Sequence, residues 1–284
     1  MPKKKKSSSF AWKATKLLFK GIGYTLWYAG KGAYWLAKKG YSSAKERIKE
    51  GKERKRLESI PTYGKKAEFD ALKVLELVNG EYAPSEKRIH SDSIIALIFG
   101  KRGSGKSALG FRLLENIYHK TKRKCLVLGV GQSFMPEWIK PIEIIDEAPN
   151  GSVVLVDEGA LSFNARESMS KKNKGLGPLL AVARHKNLTI LFITQNTGMI
   201  DKNVLQLSDV LLVKQGSLLQ LEMERPEIKK FYEKAEASFK NLIGDRRQFV
   251  YLIDSDFEGA LSHSLPSFWT ESLSKSHADE DAEE

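Results

Sequence analysis

Eight consecutive residues, Gly100-Lys101-Arg102-Gly103-Ser104-Gly105-Lys106-Ser107, constrain this chain more than any other feature. They satisfy the pattern G-x-x-x-x-G-K-[ST], and their flanks are the required ones. An apolar, strand-like run over 94–99 enters the loop, and a helical pattern from 107 to about 118 leaves it. Gly100, Gly103 and Gly105 let the backbone curl until its N–H groups face phosphate oxygens, and the helix N-terminus adds a favourable dipole. In that role Lys106 neutralises the β- and γ-phosphates of a nucleotide and Ser107 holds Mg²⁺. Lys101, Arg102, Ser104 and Ala108 complete the cradle. The competing reading is a glycine-rich turn that matches by chance, and correct flanks on both sides count against it.

The rest of the body fits such a loop. Residues 94–99, 125–130, 153–156, 188–194 and 209–214 are short apolar runs, and the segments between the first four have room for helices. Near-continuous apolar strands alternating with helices imply an α/β fold with a mainly parallel sheet covered on both faces. Residues 218–224 and 248–253 alternate in polarity and are expected to extend the sheet near an edge. Residues 67–78 place Phe69, Leu72, Leu75 and Val78 at helical spacing, after a hinge around Ile60-Pro61 and Tyr63-Gly64. Four regions follow: an arm over 1–56, a hinge and helix over 57–88, a nucleotide-binding domain over 89–265, and an acidic tail over 266–284.

Two further stretches carry chemistry. The run Val153-Val154-Leu155-Val156-Asp157-Glu158 ends a buried strand in two acids, at the sheet edge where the phosphate loop also lies. Asp157 is expected to bind Mg²⁺ through its water shell, and Glu158 to take a proton from an attacking water. An acidic cap on a following helix is the alternative for both. The run 188–194 ends in Thr194-Gln195, where a polar side chain can contact a γ-phosphate, orient water, or simply bond a neighbouring loop.

Taken together, GKRGSGKS, VVLVDE and ARHKNLTILFITQNTGMIDKNVLQLSDVLLVK resemble the FtsK–HerA superfamily of P-loop ATPases, over about residues 94–214. Virus genome-packaging ATPases, conjugation coupling proteins and Zot-like phage assembly proteins are relatives. The resemblance implies a RecA-like fold of the additional-strand, catalytic-glutamate type, with Glu158 as base and Gln195 as sensor. It also implies ATP as ligand and a homo-oligomer, usually a hexamer, in which an arginine reaches into the neighbour's site. Arg184 and Arg166 are the candidates for that arginine, each equally readable as a surface cation. DNA translocation is the expected work, on double-stranded DNA, with Lys171, Lys172 and Lys174 as channel contacts or a solvated loop. A Zot-like assembly ATPase that moves protein, and a nucleotide-gated scaffold with little turnover, are the alternatives. No LSGGQ or NKxD motif is present.

Charge is concentrated in the arm. Residues 1–56 hold 17 lysines and arginines against three glutamates, whereas the whole chain carries +12, so the remainder is slightly acidic. On a helix over 10–39, Lys13, Lys16, Lys20, Lys31 and Lys38 share one side, with Trp12, Trp27, Trp35, Tyr24, Tyr28 and Tyr34 mostly nearby. Lysines beside tryptophans suit the headgroup layer of an anionic membrane. A spanning helix over 21–37 is short and would bury Lys31, and a DNA-gripping arm is the third reading. Lysines interrupt the apolar run, which argues against a signal peptide. The expected location is the cytoplasmic face of a membrane, peripheral or single-pass, and otherwise the cytoplasm. A lone cysteine, Cys125, excludes a disulfide framework and a cysteine-built zinc site, and five scattered histidines show no metal-binding spacing.

Overall fold

Strand β2 (Ile95–Phe99) is buried along its whole length, which demands a strand on either side and a helix layer over each face. The computed structural model describes residues 66–128, 135–157, 176–200 and 202–270 and supplies both. The expectations for the arm, for the hinge at Ile60-Pro61 and Tyr63-Gly64, for Glu158, Arg166, Lys171, Lys172 and Lys174, and for the tail beyond 270 fall outside the described residues. In chain order the elements are β1 (Lys73–Gly80), α1 (Tyr82–Ser91), β2, α2 (Lys106–Thr121), β3 (Cys125–Leu128), β4 (Ile139–Ile142) and β5 (Val153–Asp157). They continue as α3 (Leu176–His185), β6 (Thr189–Thr194), α4 (Lys202–Leu207), β7 (Val210–Val213), α5 (Leu218–Met223), α6 (Pro226–Phe239), β8 (Phe249–Ile253) and β9 (Phe257–Ser262).

Among the described residues the strands form one nine-stranded sheet in the order β1-β9-β8-β7-β2-β6-β5-β3-β4. The six strands from β7 to β4 are parallel, and β8, β9 and β1 extend the sheet antiparallel on the β7 side. The additional strand of the resemblance is therefore β6, inserted between the strand that enters the phosphate loop and the strand that ends in Asp157. The fold is that of an additional-strand P-loop NTPase.

Alternate residues of β2 point to opposite cores. Ala96 and Ile98 join Leu109 and Leu113 of α2, while Ile95, Leu97 and Phe99 join Leu180, Ala183, Ile228, Tyr232 and Phe239 on the other face. Phe99 meets the Tyr232 ring edge-on with centroids 5.5 Å apart. Fully burying a side chain such as Phe99 is worth about 1.5–3 kcal/mol. Gly110 lets α2 lie close to the sheet, because a Cβ there would sit 2.8 Å from methyl groups of both Ile193 and Leu155.

Three expectations are corrected. Residues 73–80 form an edge strand instead of the second half of a helix; Val74, Leu75, Leu77 and Val78 are all exposed, so no buried face imposes a period. Residues 218–223 form a short helix, because Ser217 and Gln220 close a reciprocal capping box at its start. The described part of the segment between β3 and β5 holds a strand, β4, and a single 3₁₀ turn where a helix was expected. Pro141 is tolerated in β4 because, among the described residues, that strand pairs on one side only. No helix among the described residues is long and apolar enough to cross a membrane.

The packed body runs past residue 265. Phe268 is buried against Phe111 and Trp138, and Ser267 donates backbone and side-chain hydrogen bonds to Glu115 of α2. Glu115 also accepts from the Glu68 amide at 3.0 Å and pairs with Arg112, whose guanidinium donates to the Glu68 and Leu265 carbonyls. Both charges are buried, so this cluster straps the two ends of the described chain to one helix. Removing one member strands the other in a low-dielectric interior. Glu115→Ala is expected to cost about 3–5 kcal/mol in urea unfolding, and a loss under about 1 kcal/mol would show that the strap is not desolvated.

Candidate functional site

Parallel register decides which loops meet. Phe99 of β2 pairs with Thr194 of β6 and with Val213 of β7, and Asp157 of β5 pairs with Ile193. The carboxyl ends of four strands therefore reach one edge together, as in other open α/β sheets that bind ligands there. With β6 interposed, Asp157 stands two strand spacings from the loop, roughly 10 Å. That gap has room for a chain of phosphates, and Gln195 projects from the tip of the intervening strand.

A cleft of about 440 Å³ occupies this edge. One wall is Arg102, Gly103, Gly105, Lys106, Ser107 and Ala108, with Asp157, Thr194 and Gln195 beside them. The structure thus gathers the phosphate loop, the strand-end acid and the strand-tip glutamine of the sequence analysis in one place. Gly103 and Gly105 have φ of 72° and 86°, and a Cβ on Gly105 would lie 2.3 Å from the Arg247 carbonyl oxygen. Glycine is required at Gly105 on both counts. The Lys101 amide donates to the Gln215 carbonyl at 2.9 Å, fixing the loop to the end of β7. Lys106 begins α2 and is almost fully buried; its Nζ donates to the Gly100 and Lys101 carbonyls at 3.0 and 2.9 Å. The ammonium thus lies across the mouth of the loop it belongs to.

Arg184 stands elsewhere. It closes α3 just before the amino end of β6, so it lies at the opposite edge of the sheet, and its guanidinium donates to the Leu207 carbonyl at 3.2 Å. It does not line the cleft of its own chain.

The opposite wall comes from residues that sequence reasoning passed over: Asp245, Arg247, Gln248, His263, Leu265 and Trp269. Between the walls, Lys214 is fully buried at the end of β7, with Nζ 2.8 Å from the Arg247 carbonyl and 3.0 Å from His263 Nε2. Nδ1 of His263 faces the Ser264 carbonyl at 3.0 Å, so it donates there and Nε2 accepts from Lys214. Burial, reinforced by the neighbouring Lys106 charge, pushes Lys214 well below the usual lysine range. Burial, and then the Lys214 and Arg112 charges, push His263 down to about 3. The only sequence signal for Lys214 was a lysine closing an apolar strand; Arg247 sat unmarked just before the 248–253 segment, and Trp269 lay in the assumed tail.

A depressed histidine makes stability depend on pH in one direction. The unfolded imidazole takes a proton near pH 6.5, whereas folded His263 and His90, the latter pushed down to about 4 by burial and Lys120, stay neutral. Stability from these groups is complete above pH 6.5 and is lost as pH falls, toward about 4 for His90 and about 3 for His263. At pH 5 the expected loss is about 2 kcal/mol per histidine. His263→Gln, which can still accept from Lys214, is expected to flatten the fall in unfolding free energy between pH 7 and 5 by about that amount; an unchanged slope would contradict a buried neutral imidazole.

Comparisons with known proteins fall on the same region. The family model of Zot, zonular occludens toxin, matches residues 109–215, from α2 just after the phosphate loop to the residue following Lys214. No curated protein sequence matches the chain. Among solved structures, it is similar to the genome packaging NTPase B204 from Sulfolobus turreted icosahedral virus 2 in complex with AMPPCP, at 15% identity over 61% of this chain and 99% of that one, with a TM-score of 0.43. It is also similar to the pCW3 conjugation coupling protein TcpA, monomer form with ATPgS, at 11% identity over 64% of this chain and 62% of that one, TM-score 0.44. A third is the cytoplasmic domain of the Thermomonospora curvata type VII secretion ATPase EccC, at 12% identity over 62% and 24%, TM-score 0.38. The sheet order and the Zot match thus fall on the stretch that carries the resemblance to FtsK–HerA-type P-loop ATPases.

Proposed function

We propose that the protein binds and hydrolyses ATP in this cleft and uses the energy to drive an oligomeric motor. The observation that carries the reading is the meeting of the Gly100–Ser107 loop, Asp157 and Gln195 around one cleft, separated by the inserted strand. Loop N–H groups and the amino end of α2 face the phosphates, and Lys106 turns from the Gly100 and Lys101 carbonyls to the β- and γ-phosphate oxygens. Ser107 and Asp157, a hydroxyl and a carboxylate lining the same cleft, are the oxygen donors that Mg²⁺ takes beside phosphate oxygens. When bound, the ion supplies neutralisation of charge on the triphosphate.

Glu158, adjacent in sequence to Asp157, accepts a proton from the attacking water, and Gln195 orients that water or contacts the γ-phosphate. Arg184, remote from its own cleft, is reserved for a neighbour's site in a hexameric ring. The substrate moved is double-stranded DNA, and the basic aromatic arm over 1–56 attaches the motor to an anionic membrane surface.

The Zot match favours a second reading, in which the same ATPase assembles or exports protein instead of pumping DNA. Steady-state ATP hydrolysis with and without duplex DNA separates them, in the full chain and in a chain lacking residues 1–56. Stimulation by DNA that persists without the arm is the result expected of a DNA motor, and DNA-indifferent hydrolysis supports the assembly reading. Glu158→Gln is expected to lower turnover by about 100-fold or more while nucleotide still binds. Unchanged turnover in that variant would remove Glu158 from the base role.

A further inference from the structure

Resting on the nucleotide reading above, we infer that the wall formed by residues 245–248 and 263–269 is the nucleoside subsite, with the Trp269 indole as the surface on which the base stacks. Direction comes from the order of strands. Asp157 and Gln195 belong to β5 and β6, on one side of β2, whereas β7, β8 and β9 lie on the other. A triphosphate whose last phosphate faces Asp157 and Gln195 must run its other end across the loop toward the β7–β9 side. The wall waiting there begins at Arg247, whose carbonyl is in contact range of Gly105, and ends at Leu265 and Trp269.

The chemistry of that end suits a base. Trp269 is half-buried and lines the cleft while its ring rests on Phe111 of α2, centroids 6.1 Å apart and planes inclined by 59°. Leu265, 51% exposed, lines the cleft with it. Leu265 and Trp269 are the apolar side chains of this wall, beside Asp245, Arg247, Gln248 and His263, and the indole offers a flat face to a planar ligand. The face is also held in place: Lys214 bonds the Arg247 carbonyl, Arg112 bonds the Leu265 carbonyl, and Ser267 is bound to Glu115. A wall fixed in this way loses little freedom when a ligand arrives.

Binding of ATP and of inorganic tripolyphosphate, which has the phosphates without the nucleoside, tests the inference in the full chain. Trp269→Leu keeps apolar contact with Phe111 but removes the aromatic face. It is expected to weaken ATP binding about tenfold and to leave tripolyphosphate within about twofold. Trp269→Phe, which keeps a ring, is expected to hold ATP affinity within about threefold of the parent. Leu265→Gln, an uncharged change at an exposed position, should repeat the selective loss and carries the test if Trp269→Leu does not fold. Equal loss of both ligands, or loss of neither, in the Leu and Gln variants overturns the nucleoside subsite. Lys106→Ala is the separate control: it must weaken both ligands, and if it weakens neither, the phosphate-loop reading itself fails.

Discussion

Everything at this site depends on the pairing of β2 with β6 and β7. A phosphate loop is a length of backbone bent into conformations that glycine tolerates, and it keeps that shape only if its entry point does not move. Here the entry point is Phe99, which has no exposure, stacks edge-on against Tyr232 and pairs in parallel on both sides. The same pairings deliver Thr194-Gln195 and Lys214 to the loop's two flanks. The inserted β6 then sets Asp157 at the distance a triphosphate spans. Sheet order, burial and site geometry are thus one constraint seen at three scales.

The second wall rests on polar contacts made in the interior. Lys214 donates from its buried amino group to the Arg247 carbonyl and to a neutral His263, and the Arg112–Glu115 pair holds the 265–267 segment on α2. Buried charges of this kind add little net stability compared with apolar packing, yet removing one partner is costly. Their effect is positional. They fix the C-terminal segment against the phosphate loop and against the helix that follows it, so one cleft has walls drawn from residues 100–108 and from 245–269.

Legibility in the sequence followed burial. Strands β2, β3, β5, β6 and β7 are buried apolar runs, and each stood out from the sequence, as did the loop and its helix, because a buried parallel sheet leaves no other use for such runs. Strand β1 did not, since its apolar residues Val74, Leu75, Leu77 and Val78 face solvent and spacing alone mimics a helix. Helix α5 was hidden by a short alternating string, although Ser217 and Gln220 spell its cap. The phosphate-side residues were legible because their chemistry requires fixed spacing. The other wall was not: Arg247, His263, Leu265 and Trp269 come together only through the β8–β9 hairpin and the straps to α2, and no local pattern reports such contacts.

The account is tested most directly by a crystal structure of the full chain with Mg²⁺ and a non-hydrolysable ATP analogue. The expected result is that the phosphates lie on the Gly103–Ser107 amides with the Lys106 Nζ moved from the Gly100 and Lys101 carbonyls to phosphate oxygens, and Asp157 and Gln195 at the terminal phosphate. A nucleotide bound elsewhere, or a Lys106 that keeps both carbonyls with the analogue in the cleft, would contradict it.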